Sequence, residues 1–302
     1  TAKGGDGGKG DGGKGIFGRT MKILAGTIGT AKGGNATASN KNGGSGIHSD
    51  GYLTISGNAT ITNATGGSST DSYAGDGIHS GGKLTISGGT IGTAQGGTGK
   101  NGGDGIYSID DLTIEGGKIE QATGGNSTDG TGGYGIHSGS MLTISDSANI
   151  TNATGGSGWS GGHGIFGTAM KIISSAIGTA KGGEGKTSGG NGIYGVGKLT
   201  ISDGAVITNA TGGNATSIDG TGGSGIFSDG ELTIKSAAIG TAKGGNADNG
   251  TGGSGIRGDG SSDDFKLSID SANITNATGG SGKRGGSGLF GKTLKIISSA
   301  IR

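Results

Sequence analysis

The stretch Asp76-Gly77-Ile78-His79-Ser80-Gly81-Gly82-Lys83-Leu84-Thr85-Ile86-Ser87-Gly88-Gly89-Thr90-Ile91-Gly92-Thr93-Ala94-Gln95-Gly96-Gly97 decides the fold. It holds three short apolar segments: Gly77-Ile78-His79, Leu84 to Ser87, and Ile91 to Gln95. The middle one alternates Leu, Thr, Ile, Ser, which is the two-residue period of a strand with one buried face. Its β-branched residues suit a pleated surface. Glycine and serine bound each segment and supply turns. Nothing in the stretch carries a helical period.

The same unit recurs along the chain. A Gly-Ile or Gly-Leu anchor appears at Ile16, Ile47, Ile78, Ile106, Ile136, Ile165, Ile193, Ile226, Ile256 and Leu289. The spacings run from 28 to 33 residues. Three short strands per ~30 residues make one coil of a parallel β-helix, and only stacking buries the apolar face of such a unit. The expected architecture is all-β, a single continuous solenoid of about ten coils over 1–302, with no separate domains or caps. At ~4.8 Å per coil it is roughly 50 Å long. The expected interior is three ladders. One runs through Leu53, Leu84, Leu112, Leu142, Met170, Leu199, Leu232, Leu267 and Leu294. The second lies two residues further on, from Ile55 to Ile296. The third strands supply the last, from Ile28 to Ile301.

Composition agrees and narrows function. The chain has 302 residues, 82 of them Gly, and no Pro or Cys. Pro would remove ladder donors, and the lack of Cys excludes disulfides and thiolate metal sites. Only 28% of residues are hydrophobic, so the core must be thin and repeated. With 23 basic and 22 acidic residues scattered along the chain, no basic stripe points to nucleic acid. No apolar run is long enough for a membrane helix.

Length variation concentrates between the third strand of one coil and the first of the next, in stretches bounded by Gly-Gly, such as 33–44 and 155–162. Two readings stand open. The stretch is a flexible Gly/Ser loop, or it is ordered extended Gly stacked coil on coil, which needs hydrogen bonds between coils to offset its entropy.

The residue after each anchor forms the clearest candidate column: Phe17, His48, His79, Tyr107, His137, Phe166, Tyr194, Phe227, Arg257 and Phe290. It reads as a structural stack at a corner of the core, or as a partly exposed strip for sugar rings or a neighbouring fibre. The outward Thr54, Thr85, Thr113, Thr143, Thr200 and Thr233 form a second array, broken by Lys22, Lys171 and Lys295. It reads as a solvated sheet face, with ice binding as the lesser reading. Eleven Asn-x-Ser/Thr sequons, among them Asn63, Asn152, Asn209 and Asn276, read as a stacked Asn/Thr corner before they read as glycan sites. Asp110 with Asp111, and Asp263 with Asp264, read as turn residues. With four Glu, no recurrent carboxylate pair, no nucleophile elbow and no phosphate loop, neither an enzyme nor a cofactor or metal site is expected. Gly-Gly-x-Gly-x resembles calcium-binding nonapeptide repeats, but the aromatic/His column occupies the place of their metal-binding Asp.

The string Asp-Gly-Ile…Leu-Thr-Ile-x-Gly-Gly-x-Ile, at 76–91 and again at 104–119, resembles the repeats of the clostridial carbohydrate-binding family of right-handed parallel β-helices, and similar repeats of large bacterial surface proteins. The resemblance covers nearly the whole chain. It implies a right-handed solenoid, with acidic polysaccharide and calcium as ligands. The motif's Asp stands at Asp76 and Asp104, whereas other coils carry Lys14, Ser45, Tyr134, His163, Asn191, Ser224, Ser254 and Ser287.

The leading expectation for function is an extracellular or cell-surface structural fibre or stalk for adhesion, matrix or appendage building. Its partner is a second copy joined head to tail, or the rest of a longer repetitive chain. The segment Thr1-Ala2-Lys3 continues the pattern that Ala300-Ile301-Arg302 begins, which makes these six residues the candidate joint. The alternative is a polysaccharide-binding module using the aromatic/His column.

Overall fold

The computed structural model describes residues 1–259 and 267–301. Asp263, Asp264 and Arg302 lie outside the described residues. Those residues form 29 strands and no helix, and 27 of the strands belong to one parallel sheet wound into a solenoid. The anchor residues mark ten successive coils. Like pairs with like: Ile78 with Ile106, Leu84 with Leu112, Ile86 with Ile114, Ile91 with Ile119. All three expected ladders form. Their members from Leu53 to Ile274, and the anchors from Ile47 to Ile256, are buried, most of them completely, while Ile16, Met21, Ile23, Ile28 and Leu289 are partly buried in the outer coils. Each fully buried Ile or Leu contributes about 1.5–3 kcal/mol.

A fourth ladder, of alanine, accompanies them: Ala31, Ala64, Ala94, Ala122, Ala153, Ala180, Ala210 and Ala242, all buried. In the third strand Ile61 and Ala64 both face inward, whereas Thr62 is exposed and Asn63 half-buried. The strict alternation therefore breaks once per coil. Small size is required because the glycine before each anchor packs on this row. A Cβ on Gly105 would lie 2.9 Å from the Ala94 carbonyl oxygen and 2.6 Å from that of Gly135.

Two corners join the strands. Between strands one and two, a buried serine donates its hydroxyl to two carbonyls. Ser108 Oγ donates to Gly82 O and to Asp111 O, both at 2.9 Å, tying its own turn to the coil before it. Between strands two and three the chain passes through a left-handed residue. Gly57 takes this place with φ 60°, and Ser174, Ser236 and Ser271 take it with φ 45–51°.

The Gly-rich stretch is ordered. It leaves the third strand, runs outward, turns back and rejoins the next first strand, so that each coil carries a thin second lobe. At the neck of the lobe the outgoing and returning layers interlock. Gly125 N–H donates to Gly103, Gly133 to Gly125, Gly156 to Gly133 and Gly162 to Gly156, at 2.7–2.8 Å. This zigzag runs unbroken from Gly5 to Gly286 through 19 hydrogen bonds of 2.7–3.0 Å. Small side chains fill the lobe beyond it, with Ala36, Ala215 and Ala247 buried. Of the two readings the sequence left open, the stacked extended form is the one found.

The neck tolerates only glycine. A Cβ on Gly133 would sit 1.9 Å from the carbonyl oxygen of Gly103, which is backbone and cannot swing aside. Gly133→Ala is therefore expected to lower stability by about 3 kcal/mol, as overpacking does. Gly10, at the lobe tip, faces open space. Gly10→Ala is expected to change stability by under ~0.5 kcal/mol. Chemical denaturation of the two variants checks the contrast, and equal midpoints would refute an ordered neck.

Candidate functional site

The predicted column forms. Consecutive coils pair Phe17 with His48, His48 with His79, His79 with Tyr107, and Tyr107 with His137, the register continuing through Phe166, Tyr194, Phe227 and Arg257 to Phe290. Ring centroids lie 4.3–5.8 Å apart from Phe17 to Phe227. The Arg257 guanidinium lies 5.2 Å from both the Phe227 and Phe290 rings and joins them by cation–π contact. Phe17 and Phe290 are exposed and the other eight members half-buried. Stacking on one side and water on the other explains the mixture of Phe, Tyr, His and Arg.

Two residues before each anchor runs a second column, which the sequence reading recorded only as a failing motif position. Six of its side chains accept a backbone N–H of the next coil. Asp76 Oδ1 accepts from Asp104 at 2.7 Å and Asp104 Oδ1 from Tyr134 at 2.6 Å. His163 Nδ1 accepts from Asn191 at 2.8 Å and Asn191 Oδ1 from Ser224 at 2.6 Å. Ser, Asp, Asn and His share an acceptor atom, and that shared property is the signal the sequence carried. The two columns touch through side-chain hydrogen bonds. His79 Nδ1 donates to Asp76 Oδ2 at 2.7 Å, and His137 Nδ1 to Asp104 Oδ2 at 2.6 Å. Burial pushes the Asp76 carboxyl up, while the His79 hydrogen bond pulls it down.

The lobe rises beside these columns, and the angle between them is a groove. Across coils three to five it opens to a cleft of about 410 Å³. Tyr73, Asn101 and Thr131 form the lobe wall, Asp76, Asp104 and Tyr134 the floor, and Tyr107 and His137 the opposite wall. In coil six the floor is filled by His163, stacked on Tyr134 at 5.1 Å and on Phe166 at 5.7 Å. Burial pushes the Tyr134 phenol up to about 12. Burial and the neighbouring His137 push the His163 imidazole down to about 3. The Tyr194 hydroxyl, just beyond, donates to Asp229.

The other sequence candidates fall elsewhere. Thr54, Thr85, Thr113 and Thr143 stack on the second-strand face, interrupted by Lys22 and Lys171. Asn63, Asn152, Asn209 and Asn276 share one column with threonines, pairing with Thr30, Thr93, Thr179 and Thr241. Asp111 accepts the Met141 N–H at 3.1 Å, a turn role. Ala2 and Lys3 pair with Ala31 and Lys32, and Ala300 and Ile301 with Asn273 and Ile274, so these four positions belong to third strands at opposite ends of the stack, and Thr1 precedes the first of them. Among the described residues no group of three or more His, Asp or Glu is placed to hold a metal ion. No helix there is long and apolar enough to cross a membrane. No family model matches the chain, and neither a curated protein nor a solved structure matches it.

His163 makes stability depend on pH. Its folded value lies below the ordinary 6.5, so its contribution is full above 6.5 and falls as pH drops toward 3. Between pH 6.5 and 4.5 the loss is roughly 2–3 kcal/mol. In His163→Asn the side chain keeps an acceptor for the Asn191 N–H, as Asn191 itself does for Ser224. That variant is expected to show a flatter melting-temperature profile from pH 7 to 4 than the parent. Parallel profiles would show that His163 is not the titrating group.

Proposed function

We propose that this chain is a non-enzymatic structural rod, a segment of an extracellular or cell-surface fibre or stalk. One observation carries the reading: hydrogen-bonded and stacked columns run the length of the molecule without interruption. The neck zigzag spans Gly5 to Gly286, and the ring column spans Phe17 to Phe290. Columns of this kind resist bending and shear in proportion to their continuity, whereas most of the surface is a repetitive run of Thr, Ser, Asn and Gly. The outermost coils present ladder residues to solvent, with Leu294 43%, Ile296 47% and Ile301 37% exposed. Such a face is complementary to the opposite coil face of the same stack, where Ile16, Met21, Ile23 and Ile28 lie partly open. In this reading a second copy stacked end to end completes both faces. Strand addition between unlike faces does not close on itself and gives filaments.

A second reading, polysaccharide binding through the aromatic/His column, is favoured by the cleft at coils three to five. Aromatic walls with a few convergent polar groups are the usual makeup of a ligand site.

Electron microscopy across a dilution series tests the rod. Filaments with a ~4.8 Å axial repeat are expected, shortening when Leu294→Asp and Ile296→Asp are combined. Discrete rods of roughly 50 Å at every concentration would refute assembly between copies and leave the binding reading standing.

A further inference from the structure

We propose that the cleft at coils three to five is a subsite for a glycan segment bearing free amines, of the glucosamine type. The proposal rests on the second reading above and gives it a ligand chemistry. The cleft is open, lies along the long axis, and has tyrosines on three sides: Tyr73 on the lobe, Tyr134 on the floor and Tyr107 on the opposite wall. The Tyr73 ring, 64% exposed, takes the C–H face of a pyranose, while Tyr107 and Tyr134, already stacked on His137 and His163, offer hydroxyl hydrogen bonds to its rim. Its volume of about 410 Å³ falls within the range of ligand clefts.

Charge then selects among sugars. Two carboxylates, Asp76 and Asp104, occupy the same floor position in adjacent coils and so lie one strand spacing, ~4.8 Å, apart in register. No Lys or Arg lines the cleft. Each carboxylate already accepts one backbone N–H and one imidazole N–H, which holds it in place. Their side chains remain 15% and 12% exposed, and a carboxylate has lone pairs beyond the two in use. An ammonium in the cleft gains the carboxylate field and the exposed ring of Tyr73. A uronic acid in the same place meets like charge without a counter-ion. The selectivity is therefore opposite to that of a site for acidic polysaccharide.

The coils around the cleft supply an internal contrast. In coils seven and eight the floor residues are Asn191 and Ser224, which keep the backbone hydrogen-bond role without charge. Carboxylates are thus unnecessary for stacking, and they occur where the groove is open.

Calorimetric titration of the full chain at neutral pH with three hexamers tests the assignment: β-linked glucosamine, its N-acetylated form, and galacturonate. The glucosamine hexamer is expected to bind at least tenfold more tightly than the acetylated one, with no detectable galacturonate binding. Asp76→Asn combined with Asp104→Asn is expected to abolish that preference while retaining binding of the acetylated hexamer, and Tyr107→Ala to weaken both. Equal affinity for the amine and its acetylated form in the parent chain would overturn the charge assignment and leave glycan binding intact. Binding of none of the three would overturn the glycan reading itself. An oligolysine peptide bound as tightly as the glucosamine hexamer would overturn the assignment to sugar. The parent-chain comparison holds even if the double variant fails to fold.

Discussion

Every buried backbone amide in a stacked coil must find a partner, in the strands from the coil ~4.8 Å away, and the rest of the structure follows from that requirement. Parallel, in-register stacking places each side chain on its counterpart. A column must therefore be self-compatible: Ile on Ile, Ala on Ala, ring on ring. Where a carbonyl of the next coil is out of reach, a side chain takes its place. Asp76, Asp104, His163 and Asn191 accept N–H groups in this way. Asn35, Asn126 and Asn214 do the same where the lobe begins. The high content of short polar residues is thus part of the hydrogen-bond framework.

The glycine neck is the same requirement met without a regular sheet. Two extended layers approach so closely that no Cβ fits, and each glycine donates to the layer opposite. Fixing many glycines costs more backbone entropy than fixing any other residue. The cost is tolerable because it is spread over a cooperative lattice in which each neck bond is held by the one before it. Insertions then fall at the lobe tip, beyond the neck, where they disturb neither the zigzag nor the apolar core.

The apolar ladders were legible in the sequence because alternation and anchor spacing both repeat at ~30 residues, and each confirms the other's register. The column from Phe17 to Phe290 was legible for the same reason. The order of the lobe was not, since flexible and stacked glycine share one composition and only the hydrogen bonds distinguish them. The alanine ladder was hidden by the break in alternation at Thr62 and Asn63. The floor column was hidden by chemistry written in four residue types. The cleft was beyond reach because Tyr73, Tyr107 and Tyr134 come from different coils and different segments. Their meeting depends on how far the lobe leans over the first strand, a quantity no local pattern encodes.

The cleft bears on how a rod and a site coexist. A uniform stack has no reason to vary within a column, and the ladders hardly vary. At the floor position, however, four successive coils carry Asp76, Asp104, Tyr134 and His163, flanked by Ser45 on one side and by Asn191, Ser224, Ser254 and Ser287 on the other. These four are coupled to residues of the ring column: Asp76 to His79, Asp104 to His137, Tyr134 to His137 and Phe166, and His163 to Phe166 and Tyr194. The pairing makes the variation internally consistent, because each charge has its hydrogen-bond donor and each ring its neighbour. It also carries a cost that serine does not, in the desolvation of Asp76 and His163. Coils that carry serine at this place stack in the same register, so carboxylates and imidazoles are not required for stacking. Local departure from an otherwise sufficient repeat, at a stability cost and beside an open cleft, is the pattern expected of a site carried by a scaffold. In the proposed reading the rod supplies rigidity, and the departure from its repeat supplies recognition.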